Sequence, residues 1–504
     1  MPRPYERNSP WVWSIPVQIR WANPDPEAAL QVTRKPARTA PATPTDLGVD
    51  LHLDLTTTGV RKGLTDALRN AVRTGRLTPG TRLPASRTLA ADLGIARNTV
   101  ADAYGDLVAE GWLTARQGSG TRVATRAAPG PAASATPGRT RGHVTHDLKP
   151  GSPDLATFPR AAWLKAARRA LTDAPNDAFG YNDPRGRIEL RTALADYLSR
   201  ARGVHADPDR IIICSGFVHG LALLASVLRT RHVANIAVES YGFALHRKLL
   251  TDAGLRLPPL AYDELGTRVD ELPALEAGAA LLTPAHSFPL GMPLSPQRRG
   301  DAVDWARRTG GLLLDDDYDG EFRYDRQPVG ALQSLDPDHV VHLGTASKAL
   351  APGLRIGWMV LPGRLVGEVA AAKGRIDWSC STLDQLTLAE FLTSGAYDRH
   401  VRAGRLHYRR RRDELVTALA EHAPHVTVSG IAAGLHAVLE LPPGTEQSTV
   451  RAAAWQNLAV NGLTGFRHPT GALPPRDGLV VGYGTPADHA WPGALEALCA
   501  ALRA

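Results

Sequence analysis

Lys348 ends the run Gly344-Thr345-Ala346-Ser347-Lys348, directly after the apolar stretch Val340-Val341-His342-Leu343, and Arg355 follows seven positions later. A lysine among small residues at the end of a strand-like run is poorly placed to aid solubility. It is well placed to form a Schiff base with an aldehyde cofactor. The chain holds only six other lysines (Lys35, Lys62, Lys149, Lys165, Lys248 and Lys373), so few amines compete for that task. Upstream stands an acidic run that contains a tyrosine, Asp315-Asp316-Asp317-Tyr318-Asp319.

An aldehyde cofactor of the pyridoxal phosphate (PLP) kind needs further parts. These are a carboxylate at the pyridine nitrogen, a donor to the phenolic oxygen, a side chain stacked on the ring and a cradle for the phosphate. Ser215-Gly216-Phe217-Val218 follows the apolar run Ile211-Ile212-Ile213 and opens a helical pattern, where the backbone N–H groups of Phe217 and Val218 suit a phosphate. Phe243, after Val238-Glu239-Ser240-Tyr241-Gly242, could lie on the ring, and could equally be a core aromatic. His286, in Thr283-Pro284-Ala285-His286, could approach the phenolic oxygen or sit on the surface. Asp316, after Leu312-Leu313-Leu314, would keep the pyridine nitrogen protonated; the bland reading of the run is a solvated acidic turn.

The elements that must hold these residues follow from the hydrophobic pattern. From Asp147 onward short apolar runs (Ile211–Ile213, Ile236–Val238, Ala280–Leu282, Leu312–Leu314, Val340–Leu343) alternate with amphipathic helical runs. That alternation predicts an α/β fold with a mostly parallel sheet. Before it, residues 125–146 are rich in Pro, Ala and Gly and read as a linker. Residues 1–50 show no period and read as a flexible extension.

Residues 51–124 carry a different signature. Leu64, Leu68, Ala71 and Val72 have helical spacing; Ser86 reads as the N-cap of a short helix with Leu89, Ala90 and Leu93 inward. Gly94-Ile95-Ala96 forms a tight turn, and Arg97-Asn98-Thr99-Val100 opens a second helix. Gly111–Val123, with Gly118 and Gly120, reads as a two-stranded wing. This is a winged helix-turn-helix, its second helix sized for a major groove. Ten basic residues against six acids give this stretch the sign that phosphate contact needs.

The whole chain has 504 residues, enough for two or three domains, with a formal charge of +8 and an ordinary apolar content of 43%. No apolar stretch approaches the ~20 residues of a membrane helix. The three cysteines (Cys214, Cys380, Cys499) match no metal spacing and read as reduced thiols, so a cytoplasmic protein without a bound metal is expected.

Residues 51–124 resemble the winged helix-turn-helix of the GntR family, through Gly75-x-Leu77-x-Pro79-Gly80-x-x-Leu83-Pro84-x-Ser86-Arg87, Leu93-Gly94-x-x-Arg97-Asn98-Thr99-Val100, Glu110-Gly111-Trp112-Leu113 and Gly118-Ser119-Gly120-Thr121. The resemblance implies that Arg87, Arg97, Asn98 and Thr99 reach bases or phosphates of double-stranded operator DNA. Gln117 and Gly118 would enter the minor groove, and Arg82 and Ser86 join the same DNA-binding set. Residues 147–504 resemble fold type I aminotransferases, through Tyr181-x-Asp183-Pro184-x-Gly186, Asp316-Asp317-Tyr318-Asp319-x-Glu321-Phe322 and the Lys348 motif, with a small subdomain from about residue 375. The chain as a whole resembles the MocR subfamily of GntR regulators over about nine-tenths of its length. That likeness implies PLP on Lys348, Asp316 at the pyridine nitrogen and Tyr318 at the phenolic oxygen. It puts Thr345, Ser347 and Arg355 on the phosphate side, and Tyr181 reaching the phosphate of the other subunit of a homodimer.

Four departures stand out. Tyr241-Gly242-Phe243 replaces the usual Pro-Gly-Tyr, and Ser287 replaces a glutamine. The strand Gly478–Tyr483 has valine where a substrate carboxylate would meet an arginine, and Ala244-Leu245 stand where a second arginine is expected. Arg467 and Arg476 are the remaining candidates for that clamp. These losses point to a regulator whose small-molecule effector is PLP or an amino-compound adduct rather than a simple amino acid, controlling vitamin B6 or amino-acid and amine metabolism. The alternative is a working aminotransferase with an accessory DNA-binding domain.

Overall fold

The computed structural model describes residues 59–116, 118–125, 144–324, 329–471 and 474–503. The extension 1–50, most of the linker 125–146 and Gln117 therefore lie outside the described residues. The chain divides into two compact units at residues 139 and 140.

The first unit holds α1 (Val60–Arg73), α2 (Ser86–Leu93), α3 (Arg97–Ala109), β1 (Leu113–Arg116) and β2 (Gly120–Val123). Leu64, Leu68 and Val72 of α1 share one face and bury against Leu89, Val100, Ala103 and Leu107. Gly94, at φ +64°, ends α2 in the left-handed conformation that glycine adopts without strain. The cap at the start of α2 differs from expectation. Ala85 is the N-cap and its carbonyl takes the first helical bond, from Leu89 N–H, so Ser86 is the first helical residue and its hydroxyl caps nothing. Leu89 and Ala90 are both buried, as the pattern predicts. β1 and β2 pair antiparallel from Leu113–Val123 to Arg116–Gly120, and Arg82 bridges Arg122 beside them. The wing is thus a hairpin with a third, single-residue bridge.

The second unit begins with β3 (His146–Asp147), α4 (Arg160–Asp173) and α5 (Ile188–Arg202). Then come β4 (Ile211–Cys214), α6 (Phe217–Thr230), β5 (Ile236–Glu239), α7 (Ala244–Asp252) and β6 (Pro259–Leu260). A two-residue hairpin, β7 (Tyr262–Asp263) and β8 (Gly266–Thr267), precedes β9 (Ala279–Leu282), α8 (Pro296–Thr309), β10 (Leu312–Asp316), β11 (Val340–Thr345) and β12 (Gly357–Val360). The large sheet runs β4-β12-β11-β10-β9-β5-β6, parallel except for β12, which is antiparallel to both neighbours. Alternate residues face opposite layers. Ile212, Val238, Leu314, Val341 and Leu343 pack with Leu221 and Leu224 of α6. Ala237, Ala280, Leu313 and Val340 pack with Ala302 and Val303 of α8. This two-sided burial is why the strands read as unbroken apolar runs.

The remainder is α9 (Gly363–Ile376), α10 (Thr382–Thr393), α11 (Ala396–His422), β13 (Thr427–Ser429), β14 (Ala437–Glu440), α12 (Glu446–Trp455), β15 (Leu458–Ala459), β16 (Asn461–Gly462), β17 (Gly478–Val481) and α13 (Trp491–Arg503). A second sheet runs β13-β14-β17-β16, all antiparallel. β3 pairs with β15, and Gly482 N–H donates to Leu148 O, so residues 146–148 are laid along this part of the fold. Among the described residues no helix is long and apolar enough to cross a membrane.

Candidate functional site

The strands β5, β9, β10 and β11 deliver Glu239, Thr283, Asp316 and Thr345 to one end of the sheet, beside a cavity of about 220 Å³. Ligands bind at this edge in open α/β sheets because strand ends leave backbone groups and loops to shape a pocket. Lys348, Asp316, Tyr318, Phe243, Phe217, Val218, Thr345, Ser347 and Arg355 all line it. Residues scattered over about 140 positions of sequence thus converge on one space.

Lys348 is partly buried, and its amine donates a 2.5 Å bond to the carbonyl of Gly151. Burial lowers its pKa, while the carboxylates of Asp319 and Asp316 oppose that shift. An amine so placed is a better nucleophile than a solvated lysine.

The acidic run is not a solvated turn: all four carboxylates are buried, and each has a separate fate. Asp315 accepts the N–H of Leu332 at 2.9 Å. Asp317 takes a two-pronged ion pair from Arg202, at 2.7 and 2.9 Å, and its pKa is lowered; burial opposes that shift, and the adjacent guanidinium overcomes it. Asp319 pairs with His286. Asp316 alone faces the cavity without help. Its Oδ1 is buried and has no hydrogen-bond partner among the described residues. Burial first, and Asp315 next, push its pKa well up. An orphaned buried carboxylate oxygen is costly, and the N–H of a protonated pyridine is the kind of donor it lacks.

The opposite end of the cavity suits an anion. Gly216, at φ +80°, caps α6, whose first backbone N–H groups have no intrahelical acceptor. The Arg355 guanidinium donates to Ser215 O at 2.7 Å and packs against Gly216, where a Cβ would stand 3.1 Å from Arg355 Nη2. Arg355 itself adopts φ +53°, a conformation rare outside glycine. Thr345 Oγ1 and Ser347 Oγ lie 2.9 Å apart on the same side. These residues fit a PLP group: an amine, an unpartnered carboxylate and an anion cradle share one cavity.

One of the residues expected to meet this chain's own cofactor sits apart from the cavity. His286 does not line the cavity; it stands behind Tyr318, whose hydroxyl is 3.1 Å from His286 Nδ1. Tyr181 is outside the cavity and 96% exposed, edge-on to Trp378. Phe243 does line the cavity, but one of its faces is stacked on Phe288, with centroids 4.2 Å apart. The clamp candidates are engaged away from it: Arg476 with Tyr262 and Glu440, and Arg467 with Gly471 O and the backbone of Tyr241.

Sequence reasoning missed several lining residues. Arg247 lines the cavity and donates to the carbonyls of Gly242, Phe466 and Arg467, with burial lowering its pKa. Its signal was its place one helical turn after Phe243. His246 and His436 also line the cavity, and burial lowers their pKa to about 4 and about 3, so both are neutral. Gly151 carried no local signal at all.

In the first unit Arg82, Arg87, Arg97 and Asn98 are exposed and Ser86 and Thr99 half-buried. Arg61 and Arg69 are held by Asp106 and Glu110 at 2.6 Å each, whereas no ion pair engages Arg82, Arg87 or Arg97 among the described residues. Cations without an ion pair among the described residues thus include those at the start of α3, the start of α2 and the wing, as well as Lys62, Arg73 and Arg76 on and after α1, with Gly118 at φ +86° in the wing tip.

Comparison with known proteins agrees with both units. Residues 147–474 match the aminotransferase class I and II family and residues 61–123 the bacterial regulatory proteins of the gntR family. The chain is 34% identical over 445 residues to the pyridoxine biosynthesis transcriptional regulator PdxR of Corynebacterium glutamicum, covering 85% of this chain and 92% of that one. It is 31% identical to the probable rhizopine catabolism regulatory protein MocR of Rhizobium meliloti, covering 84% and 90%. In fold, it is similar to an archaeal alanine:glyoxylate aminotransferase, with a TM-score of 0.64 at 24% identity over 70% of this chain and 89% of that one. It is also similar to the multiple substrate aminotransferase of Thermococcus profundus, with a TM-score of 0.65 at 23% identity over 72% and 92%.

Proposed function

Because this chain belongs to the MocR-type regulators of the GntR family, a DNA-binding winged helix joined to an aminotransferase-like unit, we propose that it binds PLP covalently at Lys348 and reports that binding at an operator. One observation carries the reading: the unpartnered Oδ1 of Asp316 shares a cavity with the Lys348 amine. When bound, the cofactor supplies an aldehyde for the amine and an electron-withdrawing ring.

The chain's own residues divide the task. Asp316 holds a proton on the ring nitrogen, and the α6 N-terminus with Arg355 and Ser347 binds the phosphate. Tyr318 donates toward the phenolic oxygen, and Phe243 and Phe288 wall the ring off from water. Tyr181, exposed on this chain, serves the neighbouring site of a homodimer. In the first unit Arg87, Arg97, Asn98 and Thr99 contact operator DNA, with Arg82, Ser86, Gln117 and Gly118 around the wing.

PLP itself is the effector in this reading. The strand that would present a carboxylate clamp carries buried Val480 and Val481, and the similarity to a pyridoxine-biosynthesis regulator fits control of vitamin B6 metabolism. Borohydride reduction of PLP-treated protein, followed by peptide mass spectrometry, tests the first step. A pyridoxyl adduct on Lys348 is expected; adducts elsewhere, or none, would overturn it. Operator affinity measured with and without PLP tests the second.

One observation favours the alternative of a slow aminotransferase. Arg247 lines the cavity and has no carboxylate partner among the described residues. Turnover of amino and keto acids near ~10 per second would support an enzyme.

A further inference from the structure

Glu239 ends β5 and lines the cavity, yet no role described above uses it. Thr267 Oγ1, from β8, donates to its Oε1 at 2.7 Å. Thr283 Oγ1, just after β9, donates to its Oε2 at 2.5 Å. Both threonines are buried. Burial raises the Glu239 pKa, and the two hydroxyls oppose that rise. Only Thr283 carries the contact further. The N–H of Phe288 donates to Thr283 Oγ1 at 3.1 Å. An amide N–H can only donate, so Thr283 Oγ1 accepts there, and its single hydrogen is directed to Glu239. The three groups form a relay with one sense, from the Phe288 amide through the Thr283 hydroxyl to the Glu239 carboxylate.

Phe288 is the common neighbour of four aromatic groups. It stacks on Phe243, with centroids 4.2 Å apart and planes 10° apart. It also meets Tyr318, His436 and Phe466, with centroids at 6.0, 5.0 and 5.4 Å. Phe243, Tyr318 and His436 line the cavity with it. A phenyl ring has no polar atom to orient it, so its backbone and its packing set where it lies. The loop that carries Phe288 is held at its far end, where His436 Nε2 meets Pro289 O at 3.1 Å and Ile431 N–H donates to Gly291 O at 2.8 Å. Thr283 anchors the near end.

We propose that Glu239 and Thr283 are positioning residues that act through the Phe288 amide, holding the Phe288 ring against Phe243 so that this wall of the cavity stays closed to water. This rests on the cofactor reading above. Release of PLP from Lys348 adds one water across the carbon–nitrogen double bond and returns the aldehyde and the free amine. A loosened wall admits that water, so the release rate reports the position of Phe288.

The relay is tested first without cofactor. Thr283→Val, close in shape but lacking the hydroxyl, should quicken hydrogen exchange of the Phe288 N–H about tenfold, and Thr283→Ser should keep the wild-type rate. In PLP-loaded protein, release is followed by the loss of its visible absorbance. Thr283→Val should speed release about tenfold, and Glu239→Gln, a weaker acceptor, about threefold. Thr267→Val takes the other hydroxyl from the same carboxylate without touching the link to Phe288, and should leave both rates at their wild-type values. In a Phe288→Leu background, Thr283→Val should add nothing to release, because both act through one ring. Equal effects of Thr267→Val and Thr283→Val would overturn the proposal by making Glu239 a general brace. So would unchanged Phe288 exchange in Thr283→Val, or a Thr283→Val effect on release that persists beside Phe288→Leu. Wild-type protein that retains no PLP at Lys348 would instead remove the cofactor reading, while Phe288 exchange still tests the relay, so the two failures are distinguishable.

Discussion

The amine of Lys348 is hydrogen-bonded to the carbonyl oxygen of Gly151, 197 residues earlier in the chain. Gly151 belongs to a strap that begins at β3, pairs with β15, receives Gly482 N–H on Leu148 O and meets the Thr485 hydroxyl at Lys149 O. The strap directly follows, in sequence, the stretch between the two units. The Lys348 amine therefore touches the segment at which the second unit begins in sequence.

That contact is testable without cofactor. Lys348→Ala removes the only donor to Gly151 O that the described residues provide. A hydrogen bond of this kind contributes about 1 kcal/mol, so amide exchange at Lys149, Gly151 and Ser152 should quicken roughly fivefold in the cofactor-free variant. Unchanged exchange would show that the strap is held by β15, Gly482 and Thr485 alone.

Asp316→Asn should have opposite effects with and without cofactor. The folded-state pKa of Asp316 is raised, so the folded protein holds that proton to higher pH than the unfolded chain does. Its cost is absent below the ordinary carboxylate pKa of ~3.9 and grows as pH rises from there toward the raised value. At neutral pH the cofactor-free Asn variant should thus be more stable, by roughly 1–3 kcal/mol, in thermal or urea unfolding. The same variant should bind PLP at least about tenfold more weakly, since a neutral amide loses a charge-assisted bond.

Gly216→Ala tests the anion cradle. The residue needs φ +80°, and its Cβ would press on the Arg355 guanidinium. A strained backbone of about 1–2 kcal/mol together with a displaced Arg355 should weaken PLP binding and reduce competition by inorganic phosphate. Retained competition by phosphate would place the anion elsewhere.

Arg97 and Arg61 should part company in DNA binding. Arg97 is exposed and unpaired at the start of α3, whereas Arg61 is bonded to Asp106 through two nitrogens. Arg97→Ala should weaken operator binding and lower the slope of log affinity against log salt by about 0.9 if it meets one phosphate. Arg61→Ala should leave that slope unchanged. Titrations at four or five salt concentrations separate them.

Local pattern determined a good deal here. Unbroken apolar runs ending in polar residues required strands buried on both faces, and Lys348, Asp316 and Thr345 inherit their places from where β11 and β10 stop. The period of Leu64, Leu68 and Val72 and the glycine at 94 likewise determined a helical unit with a tight turn. Tertiary structure decided the rest, because hydrogen-bond partners far apart in sequence leave no periodic trace. It gave four neighbouring carboxylates four different partners or none, set His286 behind Tyr318 rather than in the cavity, and brought Arg247 and Gly151 to the site. It also moved the N-cap of α2 from Ser86 to Ala85.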